Sequence, residues 1–109
     1  NTEVMLENDI YKNENGTVMI PLRQVSESLG YKVTWNDQKK YVELSKGAYW
    51  MYVKPGMDDY NFARMILKLG AVPETKHDRI YVPLDFAKEI LKMDVYISNS
   101  GLINIMEEQ

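Results

Sequence analysis

The sequence predicts two strand–helix–hairpin units in 109 residues, the second a weaker copy of the first. Three observations predict it. A motif is duplicated: Gly16-Thr17-Val18-Met19-Ile20-Pro21-Leu22-Arg23 returns as Asp78-Arg79-Ile80-Tyr81-Val82-Pro83-Leu84-Asp85. Under one ungapped shift, Val18, Ile20, Pro21, Leu22, Glu27, Leu29 and Val33 meet Ile80, Val82, Pro83, Leu84, Glu89, Leu91 and Val95. An apolar stripe at helical spacing follows each Pro-Leu pair. Each stripe then gives way to two alternating runs separated by turn residues. An internal repeat fixes architecture before any local detail.

The elements follow in order. Val4 and Leu6 begin a strand, which Ile10 could extend, with Glu3 and Glu7 on its wet side. Lys12 to Gly16 is a polar loop, and Val18 to Ile20 a short buried strand. Pro21 suits the first helical position, where a missing N–H costs nothing and φ is already set. Leu22, Val25 and Leu29 make a narrow stripe, and Gly30 can take the left-handed conformation that closes the helix. The second helix carries Leu84, Ala87 and Leu91, flanked by Phe86 and Ile90, with Lys92 at the place of Gly30. Tyr31, Val33 and Trp35 share one face of a strand that turns at Asn36-Asp37-Gln38 and returns as Tyr41 to Leu44. Met93 to Ile97 and Leu102 to Ile105 form the matching hairpin. Between the units, Tyr49 to Val53 reads as a strand. Residues 58–69 fit either a strand (Met65, Leu67, Leu69) or a helix (Phe62, Met65, Ile66, Leu69), and periodicity does not choose. Val72 to Lys76 reads as a loop.

Length and composition bound the function. One domain, residues 1–109, is expected, with repeats at about 16–44 and 78–105. A net charge of −3 argues against nucleic acid or an anionic membrane as partner. Cysteine is absent, which excludes disulfides, thiolate metal sites and thiol nucleophiles. No apolar run approaches the roughly 20 residues that a membrane-spanning helix needs. The chain begins at Asn1, as a mature protein or an excised part of a larger one would.

The motif Gly-x-x-Met-Ile-Pro-Leu-Arg-x-Val-x-x-x-Leu-Gly-Tyr-x-Val-x-Trp-Asn resembles the signature of the copper amine oxidase-like N-terminal domain. Gly16, Met19, Pro21, Leu22, Arg23, Val25, Leu29, Gly30, Val33, Trp35 and Asn36 carry the likeness. Arg79 to Leu84 with Phe86 and Ala87 looks like a second copy, although Asp85, Lys92 and Ile97 replace the usual arginine, glycine and tryptophan. The resemblance implies an α+β fold, with antiparallel strands curled around two helices, and tips residues 63–69 toward strand. It also implies a stalk-type domain without catalysis, from a secreted or wall-attached protein of a Gram-positive bacterium.

The residues agree with a protein that is not an enzyme and has no cofactor. Amine oxidase chemistry needs several histidines and an Asn-Tyr site; the chain has one histidine, His77, in a polar loop, and no Asn-Tyr pair. No catalytic residue and no metal ligand is assigned. Asp58-Asp59 reads as a solvated turn or helix cap, without the further acidic ligands of a calcium loop. Glu27 and Glu89 read as wet helix faces, Ser26 and Ser28 lack a base in sequence, and Glu107-Glu108 is a frayed end. Arg23 reads as a structural arginine, pairing with an acidic group or a carbonyl.

Eight tyrosines and two tryptophans are many for this length. Tyr49, Trp50 and Tyr52 fall on one strand, and period two puts Trp50 and Tyr52 on a common face. If that face is outward, it forms a flat platform for a sugar ring, a peptide or a partner subunit, and these three residues are the candidate ligand-binding site. The expected function is a non-catalytic extracellular or cell-wall-associated binding or presentation module, with cell-wall polysaccharide, peptide or protein as partner. A structural spacer that forms a homodimer is the alternative, and a hydrolase or hydrolase inhibitor a third, since folds host unrelated sites.

Overall fold

The computed structural model describes residues 3–107. At its centre lies a four-stranded antiparallel sheet in the order β2 (Tyr11–Lys12), β3 (Val18–Pro21), β10 (Arg79–Pro83) and β9 (Glu74–Lys76). The two Pro-Leu strands are therefore neighbours, with Ile20 opposite Val82 and Met19 opposite Pro83.

Proline in a central strand normally removes a ladder bond. Here the register avoids the loss. The Leu84 N–H donates to the Val18 carbonyl at 2.9 Å, which makes that a hydrogen-bonded pair. Bonded and non-bonded pairs alternate in an antiparallel ladder, so Pro21 and Pro83 fall at positions whose amides face away from each other's strand. On those outer sides, the register would place residues 9 and 72 opposite the prolines, beyond the ends of β2 and β9. Neither proline meets a carbonyl that lacks its donor.

Each proline leads into a helical segment and a hairpin. Pro21 has φ −73° and ψ 117°, so it is the extended N-cap, one place before the position expected for it, and α1 runs Leu22–Ser28. Gly30, at φ 95°, closes the helix, with its N–H on the Glu27 carbonyl and the Tyr31 N–H on that of Ser26. β4 (Lys32–Asn36), β5 (Tyr41–Lys46) and β6 (Tyr49–Val53) then form a three-stranded sheet. After Pro83 comes a single π-helical turn, Phe86–Ile90, in which the Leu91 N–H reaches the Phe86 carbonyl five residues back. Lys92, at φ 58°, takes the left-handed place that Gly30 holds in the first unit. β11 (Met93–Ile97) and β12 (Ile103–Glu107) complete a third sheet with β1 (Glu3–Leu6), ordered β1-β12-β11.

The α+β expectation, with strands curled around two helices, is not met: the fold is mostly β, built of several antiparallel sheets. Helical segments of seven and five residues are too short to form a layer. Pro21 and Gly30 bound the first, and Pro83 and Lys92 the second, so both apolar stripes serve as plugs for a sheet-built interior. Leu6, Ile20, Leu44, Val53, Tyr60, Val82, Ala87 and Ile105 are all fully buried in one cluster that draws on every sheet.

Residues 58–69 form a small hairpin, β7 (Tyr60–Phe62) and β8 (Met65–Leu67), which decides against the helical pattern. The Asp58 carboxylate accepts from the amides of Leu69 at 2.7 Å and Gly70 at 3.0 Å, and Lys68 pairs with Asp59. The acidic pair thus staples the base of this hairpin. Beneath it, the Tyr60 hydroxyl donates to the Ala71 carbonyl at 2.7 Å, and burial pushes its pKa up.

The turn between β9 and β10 is strained. His77 and Asp78 have φ 53° and 62°, the two left-handed centres of a type I′ hairpin, where glycine is favoured at the second. Asp78→Gly should raise stability by about 0.5–1 kcal/mol, since it relieves a left-handed side chain. Thermal unfolding checks this, with an expected rise of roughly 2–6 °C.

Candidate functional site

The β4-β5-β6 sheet has one face on the core and one open. Val42 and Leu44 on β5 and Met51 and Val53 on β6 are buried. Period two therefore turns Tyr41, Glu43 and Ser45 outward on β5, with Trp50 and Tyr52 beside them in register: Glu43 faces Tyr52 and Ser45 faces Trp50.

Tyr41, Trp50 and Tyr52 form one aromatic cluster. Tyr41 stacks on Tyr52 at 4.6 Å with 21° between the rings, and Trp50 lies 5.9 Å from Tyr52 and 6.5 Å from Tyr41. Trp50 is tilted 50° and 70° from these two rings, so the surface is a stepped corner rather than the flat platform expected. One carboxylate sets the indole: Glu43 accepts from Trp50 Nε1 and from Asn36 Nδ2, each at 3.0 Å. Behind the cluster, the Tyr52 N–H donates to the buried Asn61 side chain at 2.6 Å, which ties β6 to β7.

Trp50 remains 46% exposed and Tyr49 62% exposed. Tyr49 stands apart from the other two candidates. It has the parity of Met51 and Val53 but lies at the start of β6, opposite Lys46, where the core has ended. Tyr41 went unrecognised in the sequence; the alternation of Tyr41 and Glu43 against Val42 and Leu44 carried the signal.

A second feature is a groove of about 850 Å³ between α1, β4 and the β9–β10 hairpin. Leu22, Val33, Trp35 and Ile80 give it apolar walls, and Arg23 and Arg79 stand on it. Trp35 shares the strand face of the buried Val33 but is 42% exposed, on the wall of the groove. Its indole N–H reaches the Asp37 carboxylate at 3.4 Å. The Lys40 ammonium at 2.9 Å, helped by that indole, holds the Asp37 carboxyl below the usual carboxylate range. Arg23 donates to Glu27 at 3.2 Å and to the Val33 carbonyl at 3.3 Å, the structural pairing expected of it.

Neither surface brings a nucleophile to a base. His77 is exposed at its turn, Glu27 is held by Arg23, and Asp58 and Asp59 are used in the hairpin staple. Among the described residues, no three or more His, Asp or Glu side chains gather to hold a metal ion, and no helix is long and apolar enough to cross a membrane.

The chain belongs to the copper amine oxidase N-terminal domain family, whose profile matches residues 1–104. It is also 41% identical over 99 residues to a protein of Brevibacillus choshinensis named "Protease inhibitor". That match takes in 91% of this chain but only 30% of the relative's length.

Proposed function

We propose that this domain is a non-catalytic recognition module that binds a protein through the Tyr41, Trp50 and Tyr52 face, and that a protease is the partner class. One observation carries the reading: three aromatic side chains stand together on the open side of a sheet whose other side is the core. Tryptophan and tyrosine are the side chains that most often dominate protein interfaces, because they bring large rigid area with a polar handle. The carboxylate of Glu43 fixes the Trp50 indole before any partner arrives, which lowers the entropy lost on binding. The name of the Brevibacillus relative supports a protease as partner. Outside the cell, or at its wall, is the setting that the family resemblance implies.

Cell-wall polysaccharide is the second reading. Glu43 and Asn36 beside the indole are hydrogen-bonding groups of the kind that hold sugar hydroxyls next to a ring.

The test uses the purified domain against trypsin, chymotrypsin and subtilisin, with sedimentation on insoluble peptidoglycan in parallel. Trp50→Ala should weaken protease binding by about 30-fold or more, the loss of a central interface anchor. Its stability should fall by only about 0.5–1.5 kcal/mol, the worth of the ring contacts that the indole makes on the open face rather than of a core side chain. Unchanged protease binding in the variant rejects the aromatic face as the site. Sedimentation that is lost in Trp50→Ala, without protease binding, selects the polysaccharide.

A further inference from the structure

The groove beside α1 has an open strand edge as one wall, and two arginines stand on it. β4 is the outer strand of its sheet. The Val33 carbonyl points away from β5, because it accepts from Arg23. Backbone direction repeats every second residue, so Trp35 turns its N–H and C=O to the same side. The Tyr52 amide confirms this phase across the sheet. It faces outward to Asn61, as the alternation from Val33 through β5 to β6 requires.

Among the described residues, one cation on the groove, Arg79, lacks a partner of its own. It has no ion pair and no side-chain hydrogen bond there, and it follows directly on the strained His77-Asp78 turn. Arg23 uses one nitrogen for both of its contacts and keeps further donors free. Of the two carboxylates that line the groove, Glu27 is already held by Arg23, and Asp78 sits at the turn itself. A guanidinium fork with free donors over an apolar wall matches a carboxylate carried on an extended chain.

We propose that this groove takes an extended, acidic peptide segment of another protein, added as a strand on the free edge of β4. The amides of Val33 and Trp35 and the Trp35 carbonyl supply the backbone pairing, and the Val33 carbonyl keeps its bond from Arg23. Leu22, Trp35 and Ile80 receive an apolar side chain, and Arg79 meets an acidic one. Main-chain bonds set the affinity and alternate side chains the specificity, as in other strand additions. The site is separate from the aromatic face and stands or falls without it.

The probe is a fluorescein-labelled octapeptide alternating valine and glutamate, measured by fluorescence anisotropy. Binding is expected below about 1 mM, as for a single short strand. Replacing glutamate by lysine in the probe, or Arg79→Ala in the protein, should weaken binding about tenfold or more, the worth of one charge-assisted bond. N-methylation of the valine amides or of the glutamate amides should abolish binding in one case and spare it in the other, because alternate amides face β4. Bound probe should slow amide exchange at Val33 and Trp35, and Trp50→Ala should leave binding unchanged. No binding up to about 1 mM, equal binding of both methylated probes, or full binding by Arg79→Ala overturns the proposal.

Discussion

Replacing Phe86 by alanine should lower stability by about 3–5 kcal/mol, the usual cost of truncating a buried aromatic ring. Phe86 is 1% exposed and packs at 5.9 Å on Tyr60, which is itself fully buried. It opens the π-helical turn, and the Leu91 N–H closes that turn on the Phe86 carbonyl. A five-residue helix has little stability of its own, so its ring must hold it in place. With the ring gone, the turn loses its anchor and the Tyr60 ring its partner. A domain of this size holds only about 5–15 kcal/mol in all. The melting midpoint should fall by roughly 12 °C or more. A loss under about 1 kcal/mol would show that the turn is not seated in the core.

Leu29→Ala comes next, at about 2–5 kcal/mol. Leu29 is the C-cap of α1 and is 1% exposed, with its N–H on the Val25 carbonyl at 3.1 Å. Alanine keeps that backbone bond, so the cost is the vacated volume and the lost apolar contact. Chemical denaturation should show a lower midpoint at unchanged slope. An unaltered midpoint would mean that α1 does not plug the interior.

Leu29 belongs to the first stripe and Phe86 flanks the second, and both stripes do face inward. What the stripes could not convey was helix length. Proline ahead and a left-handed residue behind confine each segment, and that confinement turns an α+β expectation into a mostly β fold. Hairpins were easier to read. The alternation from Tyr31 to Leu44 and from Met93 to Ile105 gives β4–β5 and β11–β12 nearly at their observed bounds, because one face of each must be apolar. Tyr49 to Val53 matches β6 end to end.

Short polar edge strands were not legible. Tyr11–Lys12 and Glu74–Lys76 bury little and have no room for a period. They are ordered by the central strands that they flank, with Tyr11 and Asn13 reaching across to the Glu74 carboxylate at 2.6 Å and 3.3 Å. The hairpin in residues 58–69 was undecided for another reason. Its pattern fits two periods, and the tie is broken by a left-handed turn at Ala63 and the Asp58 staple, neither of which is a periodic signal.

The candidate site was legible in part. Period two placed Trp50 and Tyr52 on one face, and the buried Met51 and Val53 make that face the outer one. The tilt of the rings and the entry of Tyr41 depend on side-chain packing across strands, which spacing does not encode. The groove depends on the pairing of β3 with β10, a contact between the two halves of the chain. That pairing brings Arg23, just after one Pro-Leu motif, to the same cleft as Arg79, just before the other.

The most direct test is therefore of that pairing, on which both the shared interior and the groove rest. Directly opposed residues of a non-bonded antiparallel pair bring their α-protons closest together. Nuclear Overhauser spectra of the labelled protein should show strong contacts between the α-protons of Met19 and Pro83, and between those of Pro21 and Tyr81. Their absence, with the β4–β5 and β11–β12 contacts intact, would mean that the two motifs do not meet and would contradict the fold and the groove together.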